Sequence, residues 1–245
     1  MRNFTKLFSV ALLALLVGCS SFETFTFFSE DLPGATKTFT APATSQKYQV
    51  YLPSSYEPRR EKPFPVAIAL GDGLGVNLKR LAEKHNFIVI TPSLTSETFL
   101  GRPPAISKLQ IDQQTIICAL NEVLHRYNAD SRNVLLTGYN KGGYALFWTG
   151  LRYPSKFRMV VGQNVRSSKE IFSKLDGKNI SPRVPIYLVW GKDSNHLSDS
   201  WQAFEWIRTN GWKKRNSGKY ELKGGHLIRG QAAWQIWTGK PVTDH

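Results

Sequence analysis

Short, uninterrupted apolar runs constrain the fold of this chain more than any other feature of its sequence. Runs without polar alternation are typical of strands that are buried on both faces of a mostly parallel sheet. Segments with helical periodicity separate them, and in one segment Ile116, Leu120 and Val123 form an apolar stripe. This alternation predicts an α/β fold, with a mostly parallel central sheet flanked by helices. The runs cover residues 65–70, 87–91, 133–137, 159–161 and 185–190.

The remaining segments of the body fit the same architecture. Hydrophobic residues make up 41% of the 245 residues and charged residues 20%, a composition that excludes collagen-like, coiled-coil and wholly disordered chains. We find no internal repeat and no linker, so residues 44–245 are predicted to form one domain. An edge strand is predicted over residues 47–52, and further helices over residues 78–85, 144–152, 197–210 and 227–237.

The amino-terminal segment has the pattern of an export signal. Arg2 and Lys6 precede an apolar run over residues 7–17, which is too short to span a bilayer as a mature helix. The run ends in the string Leu-Val-Gly-Cys at residues 16–19, which resembles the lipobox of bacterial lipoproteins. The alternative is a plain secretory signal followed by a chance cysteine.

The lipobox resemblance implies that residues 1–18 are a signal peptide and that Cys19 becomes lipidated. Residues 19–43 would then form a lipidated tether that is rich in Ser, Thr and Phe and leads into a first strand. Each buried methylene of an acyl chain contributes about 0.8 kcal/mol to membrane binding, so several chains would anchor the protein. Ser20 after the cysteine favours the outer membrane, and Cys118 is expected to be a structural thiol on a helix.

A strand, a glycine-flanked turn and a helix follow one another around residues 138–142 (GYNKG). This is the arrangement of the nucleophile elbow, G-x-S-x-G, in which strand and helix crowd together and the central residue has a positive φ. Gly138 and Gly142 supply the small residues, and Asn140 tolerates the left-handed region. An amide, however, cannot be activated by a neighbouring base for acyl transfer. An ordinary strand–turn–helix without catalytic ancestry is the alternative.

Around this turn the chain resembles the α/β-hydrolase superfamily, and within it the esterase D, feruloyl esterase and polyhydroxybutyrate depolymerase-like branch. The resemblance spans roughly residues 48–237 and includes the strings YQVYLP at 48–53, RYNAD at 126–130 and RYP at 152–154. It implies an α/β-hydrolase fold with Asn140 at the nucleophile position, Asp193 as the triad acid and His226 as the base. These residues follow the superfamily's chain order, and Asp193 would orient the imidazole.

The resemblance also implies an oxyanion hole, which this sequence alters. One donor would be the backbone N–H of Lys141, and the other would come from Gly71 or Asp72 after the strand at 65–70. The family usually has His-Gly there, and a carboxylate at Asp72 would oppose the developing negative charge. The alternative is that Asp72 points outward, away from the site.

Other side chains could take part in this site. A relocated nucleophile at Ser93 or Ser194 remains an alternative. His196 lies close to Asp193 in the sequence, and we interpret it as a loop residue.

Charge and cysteine content bound the partners. The chain has a net charge of +14, which falls to +12 if Arg2 and Lys6 are removed with a signal peptide. The basic residues are scattered and form no nucleic-acid motif, so we expect a membrane contact through Cys19 and an anionic envelope polymer or a small ester-like ligand. A basic surface that is merely solvated is the alternative. Two cysteines exclude a Cys-based zinc site, and no metal or cofactor is expected.

Three functional hypotheses follow from the sequence. The first is a lipid-anchored envelope protein with an α/β-hydrolase fold that has lost serine-esterase activity and serves as a binding protein. The second is an active carboxylic-ester hydrolase with an atypical site, and the third is a purely structural envelope lipoprotein.

Overall fold

A computed structural model describes residues 32–97, 102–175, 177, 180 and 183–243 of the chain. The predicted signal peptide, Cys19 and the residues up to Asp31 lie outside these ranges, so the lipoprotein assignment stays a prediction. Within the described ranges, no helix is both long enough and apolar enough to cross a membrane.

Eight strands and six α-helices make up the described part of the chain. The strands are β1 (Thr36–Thr40), β2 (Lys47–Tyr51), β3 (Phe64–Leu70), β4 (Ile88–Pro92), β5 (Ala129–Tyr139), β6 (Met159–Gln163), β7 (Ile186–Gly191) and β8 (Ser217–Leu222). The helices are α1 (Leu74–His85), α2 (Ile106–Arg126), α3 (Gly142–Arg152), α4 (Lys169–Ser173), α5 (Leu197–Thr209) and α6 (Gly230–Thr238).

All eight strands belong to one sheet, in the order β1-β2-β4-β3-β5-β6-β7-β8. β2 pairs antiparallel with both β1 and β4. The other six strands, β4, β3, β5, β6, β7 and β8 in sheet order, all run parallel to one another. The predicted α/β fold with a mostly parallel sheet is therefore confirmed. Because parallel strands end at the same edge, the loops after β3, β4, β5, β7 and β8 gather there, where open α/β sheets bind their ligands.

The sheet is covered on both faces, which explains why its strands are continuously apolar. Along β3, Ile68 and Leu70 belong to a core that also contains residues of α2, α3 and α5. Ala67 and Ala69 belong to a second core, with residues of α1 and α6. With no face of the central strands in water, the alternating pattern of a half-exposed strand is lost.

The structure differs from the predicted boundaries at both ends of the sheet. β1 begins at Thr36 and pairs with β2, so the entry strand that was expected after the tether lies within residues 19–43 and shortens the tether. β8 was not predicted, because it is an edge strand in which only Ser217 and Leu222 are buried. Cys118 lies on α2, half-buried and as a free thiol, as expected.

Candidate functional site

The turn between β5 and α3 has the geometry of a nucleophile elbow. Asn140 has a φ of 49°, in the left-handed region. A Cβ atom at Gly142 would lie 2.3 Å from the carbonyl oxygen of Leu70, and one at Gly138 would lie 3.0 Å from the carbonyl oxygen of Gly142. Larger residues would therefore collide with backbone atoms, which confirms the steric reason for glycine at both positions.

The backbone of the turn is tied to its neighbours at Asn140. Its carbonyl oxygen accepts hydrogen bonds from the N–H of Gly143 at 3.0 Å and of Arg166 at 2.9 Å. Its side-chain Oδ1 is buried and has no hydrogen-bond partner among the described residues. An unsatisfied buried acceptor costs about 1–3 kcal/mol, so this oxygen favours a ligand that donates a hydrogen bond.

Hydrogen bonds from β5 and β6 hold the loop that carries His226. The Tyr139 hydroxyl donates to the carbonyl oxygen of His226 at 3.1 Å, and the two rings lie 5.0 Å apart. Asn164 donates from Nδ2 to the carbonyl oxygen of Leu227 at 2.7 Å. The N–H of Arg229 donates to Oε1 of Gln163 at 2.7 Å. The strand edge thus brings His226 to the elbow, because Tyr139 directly precedes Asn140.

The prediction that Asp193 orients His226 is wrong, because Ser194 makes that contact. Ser194 Oγ lies 3.2 Å from Nδ1 of His226, while the Asp193 side chain is exposed. After β7 the chain turns, with the Ser194 N–H donating to the carbonyl oxygen of Gly191, and this turn directs residue 194 toward the histidine loop. A serine can orient the ring, but it has no charge with which to stabilise an imidazolium.

His226 sits in an environment that favours its neutral form. Burial and the neighbouring His196 lower the pKa of His226. The rings of His196 and His226 meet edge to face at 4.7 Å, so His196 belongs to the site and is more than the loop residue that was predicted. Burial and Arg166 lower the pKa of His196, and Asp199 opposes them. Nε2 of His226 is buried without a partner in the described structure.

Of the two serines considered as relocated nucleophiles, only Ser194 reaches the histidine. Ser194 is a buried residue, and its Oγ also accepts a hydrogen bond from the N–H of His196 at 3.3 Å. Ser93 is exposed, and its N–H pairs with the carbonyl oxygen of Lys47 beside the antiparallel strand β2.

The loop after β3 reaches the elbow, as predicted for the oxyanion loop. Gly71 has a φ of 109°, and a Cβ atom there would lie 2.4 Å from the carbonyl oxygen of Tyr139. Asp72 follows, with an exposed side chain. Lys141, the other predicted donor, lies at the amino end of α3. The two candidate donor segments are thus adjacent, and a carboxylate lies beside them.

Glu97, which sequence reasoning missed, joins this acidic side of the site. Burial raises the pKa of Glu97 to about 7, with further contributions from the charges of Asp72 and Asp112 and from a side-chain hydrogen bond with Asp72, while Lys141 opposes the shift. Its Oε1 is buried and lacks a partner within the described ranges. The available signal was its place shortly after the predicted strand at 87–91.

Asp112 fixes the loop that carries Glu97. This carboxylate is fully buried on α2 and accepts hydrogen bonds from the N–H groups of Thr95 at 2.6 Å and Ser96 at 3.0 Å. The Thr95 hydroxyl donates to it at 2.8 Å. With three donors the Asp112 charge is well satisfied, and Glu97 is held in place by the backbone that precedes it.

Two further features bear on ligands. A cavity of about 750 Å³ lies between α4 and α5, lined in part by Phe172, Trp201 and Trp206, and none of the site residues above contributes to it. The described residues contain no group of three His, Cys, Asp or Glu side chains that could hold a metal ion.

Comparisons with known proteins identify the fold. No protein-family model matches the chain, and no curated protein sequence matches it. Among solved structures, an S-formylglutathione hydrolase from Staphylococcus aureus superposes with a TM-score of 0.63 at 14% identity, over 85% of this chain and 98% of that one. A ferulic acid esterase gives 0.57 at 16% identity, over 83% and 95% of the two chains.

A thermostable esterase gives a TM-score of 0.53 at 20% identity, over 76% of this chain. The chain spans about half, 54%, of that longer esterase. At these identities the similarity shows the fold alone. The chain has the α/β-hydrolase fold, shared with esterases and other serine hydrolases.

Proposed function

We propose that this protein is a lipid-anchored, ligand-binding protein of the bacterial cell envelope that has lost serine-esterase chemistry. The observation that carries the proposal is Asn140, which occupies the left-handed position of an intact elbow where α/β-hydrolases have their serine. An amide cannot form the acyl intermediate, although it keeps the shape of the turn.

Two further departures support the loss of hydrolysis. The ring of His226 contacts Ser194, and among the described residues no carboxylate hydrogen-bonds to it to stabilise the imidazolium that a general base becomes. Asp72 directly follows Gly71 in the loop that is predicted to supply an oxyanion donor, and a carboxylate charge there would oppose that task. Loss of the nucleophile alone typically lowers kcat by a factor on the order of 10⁶ in serine hydrolases.

A binding role is supported by what the site retains. Asn140 Oδ1 and His226 Nε2 are both buried and unpartnered in the described structure, at the sheet edge where this kind of fold binds ligands. Scattered basic residues suit contact with an anionic envelope polymer at the outer surface of the domain.

Ester hydrolysis tests the proposal. The wild type should hydrolyse p-nitrophenyl acetate no faster than the Asn140→Ala variant. Asn140→Ser alone should give little activity, because Ser194 still lies where the acid is needed. The double variant Asn140→Ser/Ser194→Asp should be the most active, and Asn140→Ser/Lys192→Asp is its matched control, since Lys192 is exposed in the same loop.

The second candidate is an active ester hydrolase with an atypical site, and the 3.2 Å contact between Ser194 and His226 favours it. In that case wild-type hydrolysis would disappear in Ser194→Ala and His226→Ala but persist in Asn140→Ala. Such a pattern would overturn the proposed loss of activity.

Lipid anchoring has its own test. Metabolic labelling with a palmitate analogue should mark the wild type and not Cys19→Ser, and fractionation should place the wild type with outer-membrane lipids. Cys118→Ser, which changes the half-buried thiol on α2, is the matched control and should keep the label. An unlabelled wild type would contradict the anchoring.

A further inference from the structure

We propose that the sheet edge opposite the elbow docks on an anionic lipid surface through two loops, residues 152–158 and 208–216. These two loops are called the basic face below. The inference rests on the proposed lipid anchoring and adds the orientation of the domain. With the basic face on the membrane, the elbow at the other edge of the sheet opens away from it.

The parallel strands place the two loops side by side. Residues 152–158 lead into β6, and residues 208–216 lead into β8. β6 and β8 both pair in parallel with β7, which lies between them, so they begin at the same edge and about 10 Å apart. Asn140 follows the other end of β5, so the elbow lies at the opposite edge.

The basic face carries positive charges and no carboxylate. Residues 152–158 include three basic residues, residues 208–216 include four, and neither loop contains an acidic one. Arg158 donates to the amide oxygen of Asn133 at 3.0 Å, a neutral partner that leaves its charge uncompensated. Within the described ranges, four exposed residues of this face form no ion pair: Arg158, Lys213, Lys214 and Arg215.

The second loop is held in a fixed turn with these side chains outward. Trp212 is buried, and its Nε1 donates to the carbonyl oxygen of Val184 at 2.9 Å. The Asn216 N–H donates to the carbonyl oxygen of Lys213 at 2.8 Å, and the Asn216 carbonyl accepts from the Ile186 N–H at 2.9 Å. A charge array on a preformed turn loses little conformational freedom when it binds.

Helix ends account for only part of this charge. Basic side chains in a last turn compensate for the negative end of the helix dipole, and Arg152 of α3 and Arg208 of α5 stand there. That effect is confined to the last turn, whereas Arg158 and residues 213–215 lie beyond the helix ends. Clusters of Lys and Arg beside a membrane attract anionic headgroups, which gives these outer residues a partner.

The elbow edge has no comparable array. Asp72 and Glu97 lie in its loops after β3 and β4, and Lys192 is followed by Asp193 after β7. A negatively charged surface therefore attracts the basic face more strongly than this edge, where the signs are mixed.

The chain also enters the domain at the edge of the basic face. β1 is antiparallel to β2, which is antiparallel to β4, so Thr36 lies where the parallel strands begin. Residues 20–31 lead in the sequence from Cys19 to this edge, so acyl chains on Cys19 would tether it to the membrane. A tether raises the effective concentration of the lipid surface, and this favours lipid over a free polymer as the partner.

Lysine footprinting on vesicles tests the orientation. The purified mature protein is anchored on vesicles of phosphatidylcholine, with or without phosphatidylglycerol, and its lysines are acylated with a membrane-impermeant reagent. Mass spectrometry should show Lys213 and Lys214 at least about five-fold less reactive on the anionic vesicles. Lys108 and Lys192, on the elbow side, should react equally on both. The protection should be present at about 0.05 M NaCl and lost at about 0.5 M.

Variants locate the contact. Arg158→Gln/Arg215→Gln should lower the ratio of docked to undocked protein, read from Lys213 and Lys214, by about 30-fold. Arg215→Gln alone should lower it by about five-fold, a second reading if the double variant fails to fold. Lys47→Gln/Lys192→Gln removes two exposed charges from the elbow side and is the matched control, which should leave the ratio unchanged.

Three results would overturn the inference: equal reactivity of Lys213 and Lys214 on both kinds of vesicle, stronger protection of Lys108 and Lys192, or equal effects of the two double variants. Dextran sulfate is added to neutral vesicles as a soluble polyanion. If it protected the basic face more strongly than phosphatidylglycerol at equal anionic charge, the partner would be an envelope polymer and the membrane contact would be wrong.

The proposed function is tested separately, by palmitate labelling and ester hydrolysis. If labelling showed no lipid on Cys19, the same footprint would be taken with vesicles in excess. Protection of Lys213 and Lys214 would then support the basic face without the anchor, and its absence would overturn it.

Discussion

Two segments reach the loop of His226, and they are built in different ways. The elbow around Asn140 is shaped by backbone contacts, in which glycines meet carbonyl oxygens and the Asn140 carbonyl accepts two N–H groups. The β7–α5 loop also has a backbone tie to the histidine loop, from the Asp193 N–H to the carbonyl oxygen of Gly224 at 3.2 Å, but it reaches the imidazole itself only through side chains, those of Ser194 and His196. The comparison teaches that a backbone framework persists when its central side chain changes, whereas a contact made by one side chain can be lost with that residue.

The largest expected effect comes from the backbone side of this comparison. Gly142→Ala places a Cβ atom 2.3 Å from the carbonyl oxygen of Leu70, so one of the two backbone segments must shift. We expect the free energy of unfolding to fall by about 3 kcal/mol, as measured by urea denaturation. Gly225→Ala is the control, because its nearest atom would lie at an ordinary 3.5 Å. Equal losses in both variants would contradict the steric account of the elbow.

A smaller effect is expected at the support of the histidine loop. Gln163 is fully buried, donates from Nε2 to the Thr137 hydroxyl at 2.7 Å and accepts from the Arg229 N–H. Gln163→Ala leaves that N–H unsatisfied and should cost about 2 kcal/mol of unfolding free energy. Gln231→Ala, at an exposed position of α6, should cost far less. If the two variants were equally stable, the loop would not depend on β6.

The smallest effect concerns the protonation of His226. Its pKa in the wild type should lie below 6.5, because burial and His196 disfavour the charged form. Ser194→Asp should raise that pKa by about one unit, while Ser194→Ala should leave it low. NMR titration of the imidazole protons measures both, with His125 on α2 as an internal reference. A wild-type pKa above 6.5 would show that the site already stabilises an imidazolium.

This titration has a stability counterpart whose sign follows from linkage. Because the folded-state pKa of His226 is lowered, the unfolded chain binds more protons below pH 6.5. The contribution of His226 to the free energy of unfolding is therefore full above its pKa in the unfolded chain. It decreases as the pH falls from that value through the lower pKa of the folded state. In Ser194→Asp the pKa of His226 in the folded state is raised, so this loss of stability at low pH should vanish. Denaturation measured at several pH values checks this.

Much of the framework was predictable because it depends on local patterns. The buried strands β3, β4, β6 and β7 follow from continuous apolar runs, and the elbow follows from Gly138, Asn140 and Gly142. Edge strands are less predictable: β8, with mostly polar side chains, was not predicted, and β1 was expected only as an entry strand without definite bounds.

The sequence by itself determined the α/β layers, the sharp turn and the presence of an amide at its tip, because apolar periodicity and glycine sterics act between near neighbours in the chain. Only the tertiary structure decided which side chains share the site. Whether Asp193 or Ser194 contacts His226 depends on the conformation of the turn after β7, because a shift of one residue there would exchange the two side chains. Glu97 joins Asp72 because two parallel strands end at one edge, and its pKa depends on burial that only the assembled fold creates.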